Sequence, residues 1–187
     1  TYSRWTYYLS TYRGRIILKQ SQHQKKFSTL FLDRDGVINH KIDGYVQFYS
    51  DFIFIDGALE SIKRLTFLFD RIIVVTNQQG IGKKIMNLED LNLLHDKMKI
   101  EIENYGGKID RVYHCPHLSS ENCTCRKPNP GMLLKAKEDF PEIDFDYSFL
   151  IGDSDSDIKA AEFVGITSVK VSKKYTLNNW CNEFLSD

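Results

Sequence analysis

The sequence predicts an α/β fold: a Rossmann-like three-layer sandwich around a mostly parallel sheet of five or six strands. Three observations lead there. From residue 28 onward, short apolar or β-branched runs alternate with longer stretches of helical periodicity. Two of the short runs stop abruptly at aspartates, in Asp33-Arg34-Asp35-Gly36 and in Gly152-Asp153. The chain has 187 residues and 42% hydrophobic content, enough for one real core and little more. Strands alternating with helices imply right-handed βαβ units, whose strands run the same way.

Residues 1–27 stand apart. They carry Arg4, Arg13, Arg15, Lys19, Lys25 and Lys26 and no acid, interleaved with Tyr2, Trp5, Tyr7, Tyr8 and Tyr12. They read as an appendage that packs on a domain at 28–187, or as the tail of an upstream unit, with a nucleic-acid or membrane-surface arm as the lesser reading. The chain opens on Thr, which implies a removed initiator Met or a fragment. The apolar run 29–32 is a buried strand. Asp56 is placed to cap a helix in which Ala58, Ile62, Leu65 and Phe69 recur at helical spacing. Residues 71–75 are a β-branched second strand. Asn87 is a candidate N-cap for a long helix to residue 105, with Leu88, Leu91, His95, Met98 and Ile102 on one face. Gly106-Gly107 ends it. Residues 109–114 form a third strand, followed by a polar, cysteine-containing loop. Residues 132–140 are a short helix stopped before Pro141. The fourth strand is 148–151, a helix at 158–164 ends at Gly165, the fifth strand is 166–171 and a last helix is 177–185. His95 and Cys181 read as core residues.

Charge and cysteine content exclude several classes. The 25 basic residues balance 25 acidic ones, so nothing global points to nucleic acid or an anionic membrane. Six of those bases lie in 1–27, which leaves the domain proper acidic, 19 against 25. No apolar run approaches the ~18 residues of a membrane span. Three of the four cysteines cluster near a histidine, which reads as metal binding in a reducing compartment, with the cytoplasm as default.

Four segments fall at strand ends or in the loops after them. They are Asp33-x-Asp35, Thr76-Asn77-Gln78-Gln79-Gly80, Arg126-Lys127-Pro128, and Gly152-Asp153-Ser154-Asp155-Ser156-Asp157. In an extended segment residues i and i+2 share a side, so Asp33 and Asp35 converge past their strand. In a parallel sheet all the carboxyl ends share one edge, where ligands bind. The inventory of carboxylates, a hydroxyl and a lysine suits phosphoryl transfer, with magnesium held by carboxylates to lower the repulsion between nucleophile and phosphate. Asp155 reads as a helix N-terminal acid favoured by the helix dipole.

These four segments, in this order, resemble the motifs of the haloacid dehalogenase superfamily of phosphotransferases, over residues 28–187. The resemblance implies that Asp33 is the nucleophile that forms an aspartyl-phosphate and Asp35 the acid/base. It implies that Thr76 binds phosphate, and that Lys127 steadies nucleophile and phosphate. Magnesium would sit on Asp33, Asp153 and the main-chain carbonyl of Asp35, with Asp157 behind them. Such roles agree with carboxylate chemistry.

Cys115-Pro116-His117 and Cys123-Thr124-Cys125 lie five residues apart, directly before Arg126-Lys127. Three thiolates and an imidazole make a closed tetrahedral zinc site, structural rather than catalytic, that fixes the loop presenting Arg126 and Lys127. The Cys-Pro-His…Cys-x-Cys-Arg-Lys-Pro run, with Asp-Arg-Asp-Gly-Val-Ile-Asn and Thr-Asn-Gln-x-Gly-Ile, resembles the heptose bisphosphate and histidinol-phosphate phosphatase subfamily. That implies a capless, zinc-containing phosphatase whose loops select substrate. Asp43, Gly44 and Tyr45 match one substrate loop, Thr76, Asn77, Gln78 and Gln79 a second, and Arg126 with Lys127 a third. Arg126 suits the remote phosphate of a bisphosphate. The expected substrate is the 7-phosphate of D-glycero-D-manno-heptose 1,7-bisphosphate. Histidinol phosphate is the alternative, and a polynucleotide 3′-phosphate a weaker one. The expected enzyme is a monomer acting on a phosphorylated sugar or polyol, without nucleic-acid or membrane partners. Two departures stand out: Ser154 replaces a family lysine, and the linker between the two cysteine segments is short.

Overall fold

The computed structural model describes residues 7–12, 15–20 and 27–186. Strands β1 (Tyr7–Tyr12) and β2 (Arg15–Gln20) pair antiparallel as a sheet of their own. This hairpin lies in the segment read as an appendage, where no strand was expected. A two-residue connection containing Gly14, between runs of strand-forming residues, was the available signal.

The main sheet holds β3 (Phe27–Leu32), β4 (Phe69–Asn77), β5 (Arg111–Cys115), β6 (Phe149–Gly152) and β7 (Thr167–Lys170). Its order is β5-β4-β3-β6-β7, and every pairing is parallel. The helices are α1 (Ala58–Leu65), α2 (Leu88–Asn104), α3 (Gly131–Asp139), α4 (Asp155–Val164) and α5 (Leu177–Phe184). Strand alternation builds two cores. Leu30, Leu32, Ile72 and Val74 meet Ile62 and Leu65 of α1, Leu94, Met98 and Ile102 of α2, and Trp180 of α5. Phe31, Ile73, Val75 and Leu150 meet Met132, Leu133 and Ala136 of α3 and Ala160 and Ala161 of α4. That is the expected three-layer sandwich. The connections between elements contain loops and short 3-10 turns, as expected without a cap.

Four expectations shift. Phe69 continues the spacing of α1, yet α1 ends at Leu65 and Phe69 opens β4, because pairing with Phe27 of β3 outweighs local periodicity. Asp56 does not cap α1; its N-cap is Gly57, with no side-chain bond. Leu88 is 48% exposed, and Leu94 takes its place in the core. Asn87 does cap α2, in a reciprocal box with Asp90. Phe27 already belongs to β3, one residue before the expected domain boundary. Among the described residues no helix is long and apolar enough to cross a membrane.

Sheet order sets the position of the site. From β3 the chain steps to β4 and β5 on one side, then crosses back to β6 and β7 on the other. The crevice at such a switch point opens at the carboxyl ends of β3, β4 and β6.

Candidate active site

β3 ends at Leu32 and the chain runs directly into Asp33, whose N–H donates to Ile151 O of β6 (2.9 Å). The following loop folds back at once. Ile38 and Asn39 N–H both donate to Arg34 O, and Val37 and Ile38 are wholly buried, which anchors the loop in the core. Gly36 is required here: its φ is +91°, and a Cβ would lie 2.3 Å from Asp153 Oδ2. Gly152, at the end of β6, has the same close fit, since a Cβ there would lie 2.2 Å from Asp157 Cβ.

These turns bring the four segments into one cavity of about 260 Å³. Asp33, Asp35, Lys41, Thr76, Arg126, Lys127 and Asp153 are among the residues in its wall. Lys127 is buried, and its Nζ donates to Asp33 Oδ1 (2.8 Å) and Val75 O (2.7 Å) and lies 2.5 Å from Asp157 Oδ1. Burial would lower its pKa, but the charges of Asp33 and Asp157 outweigh that and hold it above the ordinary lysine range. Burial pushes Asp33 up to about 6, against the ammonium of Lys127 and helped by the carboxylates of Asp157 and Asp35.

Asp35 behaves oppositely. Burial alone would raise it, but the Arg34 guanidinium and hydrogen bonds from Asn39, Arg34 and Gln78 hold it below the ordinary carboxylate range. Arg34 Nη2 donates to both Asp35 oxygens (3.0 Å each), Asn39 Nδ2 to Oδ1 (2.9 Å) and Gln78 Nε2 to Oδ2 (2.9 Å). Arg34 is itself buried, with Nη1 3.1 Å from His95 Nε2. An arginine can only donate, so Nε2 accepts and His95 is neutral. Burial first, then Arg34 and His114, lower the His95 pKa to about 3. His95 is thus a core residue, as read from its helix face, and also the far end of a chain that grips Asp35.

The remaining expected residues divide. Thr76 is buried and its hydroxyl oxygen accepts from Gln78 Nε2 (2.8 Å), leaving its proton to donate into the cavity. Asn77 is committed to the Lys127 loop: its Nδ2 donates to Lys127 O and its Oδ1 accepts from Lys127 N, both at 3.1 Å. Asn77 and Gln78, with Gly44 and Tyr45, line an adjoining cavity of about 220 Å³. Asp43 is exposed and not in that wall, and neither is Gln79, whose carbonyl accepts from Lys83 N (3.0 Å). Arg126 Nη1 is buried and has no hydrogen-bond partner among the described residues, a donor left free at the cavity wall. Asp155 pairs with Lys170 on the surface in the first turn of α4, as its helix-terminal reading expects.

Two groups could hold metal ions. Ligand atoms of Asp33, Asp153 and Asp157 lie within 4.8 Å of one another. Asp153 Oδ1 is buried without a hydrogen-bond partner among the described residues, which fits a carboxylate oxygen meant for a cation. Asp157 is less free, because its Oδ2 accepts from Ser154 N (3.0 Å) and Ser154 Oγ (2.6 Å). The second group is Cys115, His117, Cys123 and Cys125. The sulfurs lie 3.1–3.5 Å apart, and His117 Nδ1 lies 3.2 Å from Cys125 Sγ. All three thiols are free, and four soft donors this close suit one ion. His114 lies outside this group, in β5 opposite Thr76.

Sequence reasoning missed Arg34, Asn39 and Lys41 as parts of the site. For Arg34 a signal existed. A charge between two aspartates in an alternating segment points away from them into the core, where it needs a buried polar partner, and His95 stood on a buried helix face.

The fold and the site together define a haloacid dehalogenase-like hydrolase. The family model described as HAD-hydrolase-like matches residues 124–182. A D-glycero-alpha-D-manno-heptose-1,7-bisphosphate 7-phosphatase of Campylobacter jejuni is 46% identical over 136 residues, 72% of this chain and 76% of that one. The enzyme of that name from Mycobacterium bovis is 40% identical over 72% of each chain. The D-glycero-beta-D-manno-heptose-1,7-bisphosphate 7-phosphatase of Neisseria meningitidis is 37% identical over 73% of this chain and 72% of its own. A crystal structure of D,D-heptose 1,7-bisphosphate phosphatase from B. bronchiseptica, complexed with magnesium and phosphate, matches with a TM-score of 0.78 and 29% identity. It covers 85% of this chain and 98% of that one. This chain belongs to the heptose-1,7-bisphosphate 7-phosphatase family of haloacid dehalogenase-like phosphoric monoester hydrolases.

Proposed function

We propose that this enzyme hydrolyses the 7-phosphate of D-glycero-D-manno-heptose 1,7-bisphosphate through an aspartyl-phosphate on Asp33. The observation that carries the reading is the shared cavity. It sets Asp33 beside Lys127, Thr76 and Asp153, with the unpaired Nη1 of Arg126 in the same wall. Asp33 attacks phosphorus while the bond to the sugar oxygen breaks, and Asp35 gives that oxygen a proton. Asp35 then takes a proton from water, whose oxygen attacks the same phosphorus, and inorganic phosphate leaves Asp33 free. Lys127 and the Thr76 hydroxyl hold the phosphoryl oxygens. The low pKa of Asp35 suits its second task, and an incoming phosphate dianion raises it toward the first. Arg126 takes the remote phosphate through its free donors.

Asp33, Asp153 and the Asp35 carbonyl would hold magnesium, which supplies charge to keep the buried Asp33 ionised and to offset the phosphate's repulsion. Cys115, His117, Cys123 and Cys125 would hold zinc as a closed structural site that orders Arg126 and Lys127. In this reading the phosphatase domain begins at Phe27, which opens β3 one residue before the boundary expected from the sequence, and residues 1–26 are an appendage. The enzyme works as a monomer, since one chain supplies the whole site, and in the cytoplasm, where free thiols persist. It has no nucleic-acid partner.

The test is phosphate release from heptose bisphosphate, histidinol phosphate and a 3′-phosphorylated oligonucleotide. Heptose bisphosphate should lead in kcat/KM, and a higher value for either rival overturns the substrate. Asp33→Asn should lower turnover by at least about a thousandfold while the fold holds. A variant retaining a tenth or so of the wild-type rate excludes the covalent scheme.

A further inference from the structure

Lys41 stands where three cavities meet. It lines the 260 Å³ cavity of Asp33 and Asp153, the 220 Å³ cavity of Tyr45 and Gln78, and a third of about 590 Å³ bounded by His40, Ile55, Lys170 and Thr176. Its Nζ lies 2.6 Å from Asp153 Oδ2, while its side chain stays 56% exposed. A mobile surface cation therefore reaches into a site whose other polar groups are largely fixed. Its partner is the carboxylate that a metal would need. Lys127 is committed to Asp33, Asp157 and Val75 O, and Arg34 to Asp35. The loop after β6 adds no cation: Ser154 Oγ is bonded to Asp157 Oδ2 (2.6 Å) and lies 2.8 Å from Ser156 Oγ.

We propose that Lys41 is a substrate-binding residue: it pairs with Asp153 until a divalent cation takes that carboxylate, and its ammonium then turns to the phosphoryl group at Asp33. The inference rests on the phosphatase reading above. Charge favours it. The bisphosphate brings more negative charge than one divalent cation offsets, and Arg126 is given to its remote phosphate. An ammonium displaced from Asp153 by the metal stays in the same cavity wall, where it can pair with the phosphoryl oxygens instead. The change needs no backbone movement, because a lysine stem turns freely about its own bonds.

Lys41→Met keeps the stem and removes the charge, whereas Lys41→Arg keeps the charge. Calorimetric titration of the substrate-free protein with magnesium should show K41M binding the ion several-fold, up to about tenfold, more tightly than wild type, since no ammonium competes for Asp153. Titration of the magnesium-loaded protein with inorganic phosphate should show K41M about tenfold weaker, the scale of one charge-assisted hydrogen bond. K41R should restore phosphate binding. In steady state K41M should raise KM by about tenfold and change kcat by less than about threefold. Unchanged phosphate affinity in K41M overturns the proposal, and so does magnesium affinity that is unchanged or weaker. If K41M and wild type bind phosphate equally and both turn over, the phosphatase reading stands and Lys41 alone is excluded. A wild type that neither binds phosphate with magnesium nor hydrolyses p-nitrophenyl phosphate removes both readings together.

Discussion

Asp33 and Asp35 are two residues apart and are pushed in opposite directions. Asp33 is buried beside Lys127 and is raised to about 6, whereas Arg34 holds Asp35 low. The arginine keeps its place because His95 accepts from its Nη1, which requires a neutral ring. That sets a sign. The pKa of His95 falls from the ordinary 6.5 to about 3 on folding, so the unfolded chain takes up a proton first as pH drops. The stability tied to the neutral ring is therefore present above about pH 6.5 and is lost progressively as pH falls toward the folded value. His95→Gln keeps an acceptor for Arg34 and does not titrate, while every other titrating group, Asp33 included, is shared with wild type. The unfolding free energy of wild type relative to His95→Gln should fall by about 2 kcal/mol between pH 7 and pH 5. Urea denaturation at the two pH values measures it. An equal difference at both would mean that His95 carries its proton in the folded state.

The cysteine loop leads directly into Arg126 and Lys127. It joins the end of β5 to α3 and is held at both ends by different means. Cys115 is the last residue of β5, and Asn77 of β4 pins the Lys127 backbone in both directions. Between them the chain from Leu118 to Cys125 is short and polar, with a 3-10 turn at Ser119–Glu121 and no buried residue. Its packing on the second core is limited to the half-buried Cys123 and Cys125, so a metal on the four donors would be its main anchor. If the cluster holds zinc as proposed, wild type should carry about one equivalent per chain, and Cys123→Ser should lose it and lower kcat/KM by about tenfold or more. The loss should fall at least as heavily on KM as on kcat, because Arg126 follows directly after Cys125 and Lys127 has its own anchor in Asn77. The sheet should stay folded, since the first core lies outside the loop and Cys123 only packs against the margin of the second. Elemental analysis beside steady-state kinetics checks this, and unchanged kinetics in a zinc-free variant would separate the loop from substrate binding.

For the whole molecule, the five-stranded sheet, both cores and all the site residues lie between Phe27 and Ser186. Phe27 is essential to that unit: it stacks on Phe69 at 5.3 Å and meets Phe149 and Phe184 edge-on or tilted, closing the amino ends of three strands against α5. The β1–β2 hairpin, by contrast, pairs with no other strand among the described residues. Removing residues 1–24 should leave kcat/KM within about threefold and one cooperative unfolding transition. Cutting through Phe27 should cost about 3 kcal/mol or more, the scale of deleting a core phenylalanine. A large fall in kcat/KM for the shorter truncation would show that the segment reaches the site.

The sequence alone determined what is written within a few residues. Strand and helix identities follow largely from local periodicity, and the four motifs and the two halves of the Cys/His cluster are short strings that the structure brings into one cavity and one cluster. Even the Asn87 cap was legible, because its partner Asp90 lies one turn away. Tertiary structure decided the end of α1, where Phe69 follows its distant strand partner rather than its neighbours. It decided that Asn77 and Gln78 serve the site from within, and that Asp43 stays in solvent. It also decided the pairs that give the carboxylates their character: Arg34 with His95, 61 residues apart, and Lys41 with Asp153, 112 residues apart. The physical reason is the same in each case. Periodicity and turn chemistry act over one or two turns of chain, whereas burial and charge pairing act through space and exist only once the sheet has set its strand order.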